Sequence, residues 1–237
     1  MKRLLLASVS VLALTSAKPG LAASPPPFNW TGCYVGVHVG YGWGRTRIAD
    51  TPDGLLVGFV ASSLVPSVDI DTNGIIGGGQ VGCDYQFATS WVVGVEGEFA
   101  GAGISGNADF TGVVPGVSTF HSKTDWLANV TGRLGYAWDP RWLVYVKGGA
   151  AWAGDKYDLA TYLGTWAASE TRSGWTVGGG LEWAFADQWG ASFEYQFYDF
   201  GSKDVTFSAA AFGPQIENVK QQIHTVKFGI NYRFGIH

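Results

Sequence analysis

The sequence predicts an all-β protein, an eight-stranded antiparallel transmembrane up-and-down β-barrel. Three observations carry this. Segments of strict period-two alternation recur from about residue 32 to the end, and no stretch after the N-terminus approaches the run of about 18 apolar residues that a spanning helix needs. One face of each segment is apolar and aromatic and bears no charge, while the other is small and polar and bears the charges. The connections alternate between tight turns and long loops, the pattern of outer-membrane barrels.

Composition narrows the class. Of 237 residues, 35 are glycine and 11 tryptophan; aromatics make up 15% and charged residues only 14%. So few charges beside so many aromatics suit a chain whose surface does not face water alone. The glycines follow no three-residue period, which excludes collagen. A net charge of −4 with no basic run argues against nucleic acid as a partner.

The opening "MKRLLLASVSVLALTSA" has a basic start and a short apolar run, and "GLAA" supplies small residues for cleavage. Residues 1–23 therefore read as a secretory signal, residues 24–31 as a Pro-rich periplasmic leader, and residues 32–237 as the barrel. Loss of Lys2, Arg3 and Lys18 would take the net charge to about −7.

Eight strands follow from parity. Strand one, about 32–46, sets Val35, Val37, Val39, Tyr41 and Trp43 against Gly36, His38, Gly40 and Gly42. Strand two, about 74–87, sets Ile75, Val81, Cys83, Tyr85 and Phe87 against Gln80, Asp84 and Gln86. Strand three, about 91–103, sets Trp91, Val93, Val95 and Phe99 against Glu96 and Glu98. Strand four, about 124–138, sets Trp126, Val130, Leu134 and Trp138 against Asp125, Asn129, Thr131 and Arg133. Strand five, about 141–153, sets Trp142, Val144, Val146 and Trp152 against Arg141, Tyr145 and Lys147. Strand six, about 172–186, sets Trp175, Val177, Leu181, Trp183 and Phe185 against Thr176 and Glu182. Strand seven, about 189–201, sets Trp189, Phe193, Tyr195 and Phe197 against Ser192, Glu194 and Gln196. Strand eight, about 222–234, sets Val226, Phe228, Ile230, Tyr232 and Phe234 against Lys227, Asn231 and Arg233. "FATSW", "WDPR" and "FADQW" make the tight turns; 47–73, 104–123, 154–171 and 202–221 make the long loops.

The apolar face is the outer one. It is too aromatic for the core of a small soluble barrel, and its aromatics gather at two levels. Phe87, Trp91, Trp138, Trp142, Phe185, Trp189 and Phe234 lie toward the short turns; Trp43, Phe99, Trp126, Trp152, Trp175 and Phe197 lie toward the long loops. Such belts mark two membrane–water interfaces. Trp142 and Trp152 stand ten positions apart, which at about 3.3 Å per residue and a tilt near 40° spans about 25 Å, the height of the apolar band. Every backbone polar group in lipid needs a partner, so the strands must close. An eight-stranded ring has room only for side chains. Glu96, Glu98, Glu182 and Glu194 then meet Arg133, Lys147, Lys227 and Arg233 inside, where unpaired charge is costly. The expected lumen is a salt-bridged plug with water pockets.

Gly77 to Gly82 fits G-x-G-x-x-G, but "CDYQF" continues the strand where a nucleotide site needs a helix. Cys33 and Cys83 share parity near the periplasmic ends of adjacent strands; they form a cross-strand disulfide, or stand as two small thiols facing lipid. His38, His121, His224 and His237 lack metal-ligand spacing. His224 alone has outward parity on a strand, without an evident nucleophile beside it. His121 with Phe110 is a candidate haem surface in the loops. "GLLVGFVASSLVP", Gly54 to Pro66, is an apolar loop that folds over the barrel mouth, extends the hairpin or docks a partner, the first being the expectation.

Several segments together, "FNWTGCYVGVHVGYGWG", "IIGGGQVGCDYQF", "WVVGVEGEF", "DWLANVTGRLGYAWDPRWLVYVKGGAAW" and "VKFGINYRF", resemble the Omp25/Omp31-like outer-membrane proteins of alphaproteobacteria, within the wider OmpA-like and opacity-type eight-stranded barrels. The resemblance covers about residues 28–234. It implies an abundant outer-membrane protein with surface-exposed loops, often labelled a porin. The last strand resembles the signal read by the barrel assembly machinery, with Phe228, Tyr232 and Phe234 on one face and Gly235, Ile236 and His237 beyond.

The function expected is structural and cell-surface, with at most limited passage of small solutes, no cofactor and no catalysis. A diffusion porin and a haemin-binding or adhesive receptor are the alternatives. The expected partners are outer-membrane lipid and lipopolysaccharide, the assembly machinery, and surface ligands reached through the long loops.

Overall fold

The structure is a computed structural model that describes residues 28–50, 67–109, 117–161, 164–209 and 212–234. It has eight strands: β1 (Gly32–Asp50), β2 (Ser67–Phe87), β3 (Trp91–Asp109), β4 (Val117–Asp139), β5 (Trp142–Thr161), β6 (Gly164–Ala184), β7 (Trp189–Ala209) and β8 (Phe212–Phe234). Each pairs antiparallel with its neighbour in sequence, and β1 pairs with β8. Closure runs the length of the seam, from Cys33 opposite Phe234 to Asp50 opposite Glu217. The ring therefore has no free edge through the membrane, as lipid demands.

Parity sorts the side chains into two solvents. Val37 is 66% exposed, Ile75 69% and Phe228 61%, whereas Tyr34 and Leu143 are fully buried and Lys147 is 3% exposed. A continuous apolar exterior of this kind is untenable in water and natural in hydrocarbon. Both aromatic belts form. The lower one links Trp91 with Tyr136, Trp142 with both Trp138 and Trp183, and Trp189 with Tyr232. The upper one links Phe99 with Trp126, Trp175 with Phe197, and Trp43 with His224.

The strands outrun the sequence reading on the upper side. Much of the expected loops 47–73, 104–123, 154–171 and 202–221 is paired strand. Above the belt both faces of a hairpin meet water, so the apolar–polar contrast fades while the hydrogen-bond ladder continues. A second correction concerns Asp125, assigned by parity to the lumen. The β4–β5 register shifts between Thr124 and Trp126, and this bulge turns Asp125 outward onto Lys123 at 2.8 Å and Lys156 at 2.6 Å. β6 also ends at Ala184, leaving Phe185 in the turn. Residues 1–27, with the expected signal peptide, and the apolar loop 54–66 lie outside the described residues.

Candidate functional site, the filled lumen

The lumen is filled in layers, starting from the periplasmic end. Trp30, which precedes β1, lies inside the mouth with 1% of its surface exposed. Its backbone N–H donates to Gln86 Oε1 at 2.8 Å, and its carbonyl accepts from Arg233 Nη1 at 2.8 Å. It packs with Phe28, Val92, Ala137, Leu143, Tyr145 and Ala184. Trp30 thus acts as a stopper, which no feature of the sequence around it revealed.

Above Trp30 lies a lower ionic layer. Arg133 meets Asp84 at 2.7 Å and Glu182 at 3.0 Å; Arg233 meets the same two carboxylates at 2.9 and 3.3 Å. Asn231 donates to Glu182 Oε1 at 3.0 Å. Aromatic faces complete the desolvated shell. The Arg133 guanidinium stands 5.1 Å from the Tyr34 ring centre and 4.7 Å from that of Tyr145; Arg233 stands 5.2 Å from Trp30 and 4.9 Å from Tyr34. Tyr34 therefore serves both guanidinium groups, and its hydroxyl donates to Glu96 at 2.6 Å.

The next layer joins the other charges. Lys147 contacts Glu96 at 2.7 Å, Glu194 at 2.8 Å and Glu98 at 3.4 Å. Lys227 contacts Glu98 at 2.6 Å and Glu194 at 2.8 Å. Tyr145 donates to Glu194 at 2.9 Å. His38 Nδ1 lies 2.6 Å from Gln80 Oε1, and its Nε2 lies 3.5 Å from Glu98. The remaining space among His38, Glu98, Glu194 and Lys227 is about 20 Å³, room for about one water molecule.

Two further layers stand above the charges. Ile76, Ile104, Leu127, Ala151, Ala153, Tyr198, Phe200 and Ile223 form an apolar one. Over it, Asp155 accepts from Thr124 Oγ1 at 2.6 Å and from Gln221 Nε2 at 3.1 Å. The fully buried Arg172 donates to the carbonyls of Gly201 at 3.0 Å and Val219 at 2.6 Å. Here β6–β7 pairing is interrupted between Ala167 and Trp175, and Gly201 is left-handed at φ 60°. Arg172 supplies donors to backbone acceptors where the ladder is broken.

All eight charges picked from sequence, Glu96, Glu98, Arg133, Lys147, Glu182, Glu194, Lys227 and Arg233, converge in these two ionic layers. Asp84, Tyr34 and Trp30 were not among them. The parity of Asp84 was read and that of Tyr34 was not, and the meeting of both with Arg133 depends on strand register. Bare faces make the room: a Cβ on Gly36 would collide with the Asn231 side chain and stand 2.7 Å from the Ile230 carbonyl.

The cysteines, the β8 aromatics and His121 lie apart from the ionic layers. Cys33 and Cys83 are directly opposed on β1 and β2 and joined by a disulfide. Phe228, Tyr232 and Phe234 lie on the lipid face of β8, with Phe228 against Phe193 and Tyr232 between Trp189 and Phe234. Gly77 to Gly82 lies within paired strand. His121 bonds to Asn107 on β3, while Phe110 and His237 lie outside the described residues.

A closed eight-stranded ring with a lipid-facing exterior, two aromatic belts and a filled interior defines an outer-membrane β-barrel protein. Residues 4–234 match the family model for the outer membrane protein beta-barrel domain. The chain belongs to that family, and its place is the outer membrane. It is 32% identical to the 31 kDa outer-membrane immunogenic protein of Brucella melitensis, over 99% of this chain and all of that one. It is 26% identical to the 25 kDa outer-membrane immunogenic protein of Brucella abortus, over 88% and 81% of the two chains. Among solved structures, the outer membrane protein OprG of Pseudomonas aeruginosa shares the fold with a TM-score of 0.54 at 12% identity, covering 88% of this chain and 99% of that one. The outer membrane protease OmpT of Escherichia coli does so with a TM-score of 0.53 at 9% identity, covering 90% and 99%.

Proposed function

We propose that this protein is a non-catalytic, non-conducting structural barrel of the cell envelope that presents its upper hairpins at the cell surface. The observation that carries the reading is the filled lumen. Its charged side chains are committed to one another, and the space between them holds about one water molecule. A diffusion channel needs a continuous aqueous path, and no layer described above supplies one. Export by an N-terminal signal within residues 1–23, a leader over 24–31, and assembly through the aromatic face of β8 at Phe228, Tyr232 and Phe234 belong to the same proposal. So does lipopolysaccharide as the lipid surrounding the upper belt.

Conductance of the purified, folded protein in planar bilayers is the test. The expected result is no steady opening in simple salt. Large, long-lived openings in most insertions would overturn the proposal and favour the porin alternative.

A further inference from the structure

We infer that an outward-facing cleft between β1 and β8 binds the phosphate of a lipid headgroup in the outer leaflet. The inference rests on the outer-membrane placement and adds a specific site to it. The cleft measures about 270 Å³ and is lined by Trp43, Arg45, Asp71, Gln222 and His224, with the backbone of Gly44. Trp43 and His224 are stacked, with ring centres 5.8 Å apart and planes 11° from parallel. They belong to the upper aromatic belt, so the cleft lies at the height where headgroups begin.

The donor inventory points to an oxyanion. The Tyr195 hydroxyl lies 2.7 Å from His224 Nδ1. We take that hydroxyl as the donor, the tautomer a phosphate would select; the imidazole proton then sits on Nε2, which has no acceptor among the described residues. The Trp43 indole N–H likewise has none. Arg45 reaches Asp71 through Nε alone, at 3.2 Å, and its side chain is 60% exposed. Among the described residues, both terminal nitrogens of its fork are therefore open. Arg47, one step higher on the same face, provides the contrast. Its fork is closed on Asp69 through Nε at 2.6 Å and Nη2 at 2.9 Å.

An Arg fork open toward solvent, an indole N–H and an imidazole N–H in one cleft match a phosphate, whose oxygens accept from several directions. Asp71 orients the guanidinium through Nε and offsets part of its charge. Lys220, opposite Arg47 on β8, adds one further cation above the cleft, while Asp199 accepts from the cleft residue Gln222 at 2.9 Å. A phosphate carried by a lipid arrives already at this depth, whereas a free one gains no such placement.

The test uses the folded full chain in a phosphate-free detergent, with bound lipid counted by native mass spectrometry. The probes are lipid A with its phosphates, lipid A with them removed, and inorganic phosphate. The unsubstituted protein is expected to retain the phosphorylated lipid at least about tenfold better than the dephosphorylated one, as two charge-assisted hydrogen bonds allow. Arg45→Gln combined with His224→Ala is expected to abolish that preference, and Arg47→Gln to leave it unchanged. Equal retention of the two lipids, or an undiminished preference in the double variant, would overturn the inference. Displacement by an equal concentration of inorganic phosphate would overturn the lipid assignment, and resistance to it supports the assignment. Should the double variant fail to fold, the exposed Arg45→Gln change alone is read by the same criteria. Fractionation of unsubstituted protein away from the outer membrane would instead overturn the placement on which the inference rests.

Discussion

At the scale of single residues, Arg133 has the most depending on it. It is shared by Asp84 and Glu182, approaches Glu96 at 4.0 Å, and lies against two tyrosine rings. Replacement by Met fills similar space but strips two buried carboxylates of a cation. Removing one partner of a buried ion pair costs about 3–5 kcal/mol. Arg133→Met should therefore lower the unfolding free energy in detergent and urea by about that amount, and an unchanged midpoint would contradict the account of the lower ionic layer. Asp155 predicts a change of the opposite kind. It lies above the upper belt, and burial raises its carboxyl above the ordinary range against the lowering effect of Thr124, Gln221 and Arg172. A raised folded value means that the folded state holds the proton more tightly, so this group adds stability as pH falls toward the unfolded value and withdraws it as pH rises through the folded one. Asp155→Asn keeps an acceptor for Thr124 and Gln221 without the charge. Stability at pH 7 should not fall, and the part of the pH dependence owed to this group should vanish from unfolding curves recorded from pH 4 upward.

At the scale of elements, the β1–β2 pair is fixed twice, by its ladder and by the Cys33–Cys83 disulfide at its periplasmic end. The bond closes a segment of 50 residues. Such a closure is worth about 2–4 kcal/mol through its restriction of the unfolded chain. Cys33→Ser with Cys83→Ser is expected to lower stability by that order while the folded barrel keeps its heat-modifiable mobility on a gel. A double variant as stable as the oxidised parent would show that the bond adds nothing to the ladder. The strands themselves were legible where one face met lipid and the other the lumen, because a period of two then separates two chemistries. Legibility failed at the bulge near Asp125, where one extra residue reverses parity, and above the belt, where water on both faces erases the contrast. It also failed for contacts that depend on register. Asp84 was placed inside by alternation, but alternation alone does not say that Arg133 and Arg233 stand at its height. Trp30 was hidden for another reason: it precedes the first strand, so no periodicity applies to it.

At the scale of the whole molecule, the barrier to passage is a set of layers in series. Trp30 closes the mouth, two ionic layers follow, then the apolar layer around Leu127 and Tyr198, then the polar cover of Asp155 and Arg172. For layers in series the tightest one remaining sets the conductance, whereas stability sums over all of them. The two properties should therefore separate in Trp30→Ala. Loss of its buried ring removes packing against Phe28 and Leu143 and the face beneath Arg233, and truncating a buried Trp costs about 3–5 kcal/mol. Its unfolding midpoint should drop accordingly. Its conductance in planar bilayers should stay as low as that of the unsubstituted protein, because Arg133, Arg233 and their carboxylates still fill the section above. Steady openings from this one change would place the whole barrier at the periplasmic mouth and leave the inner layers as a framework around a path.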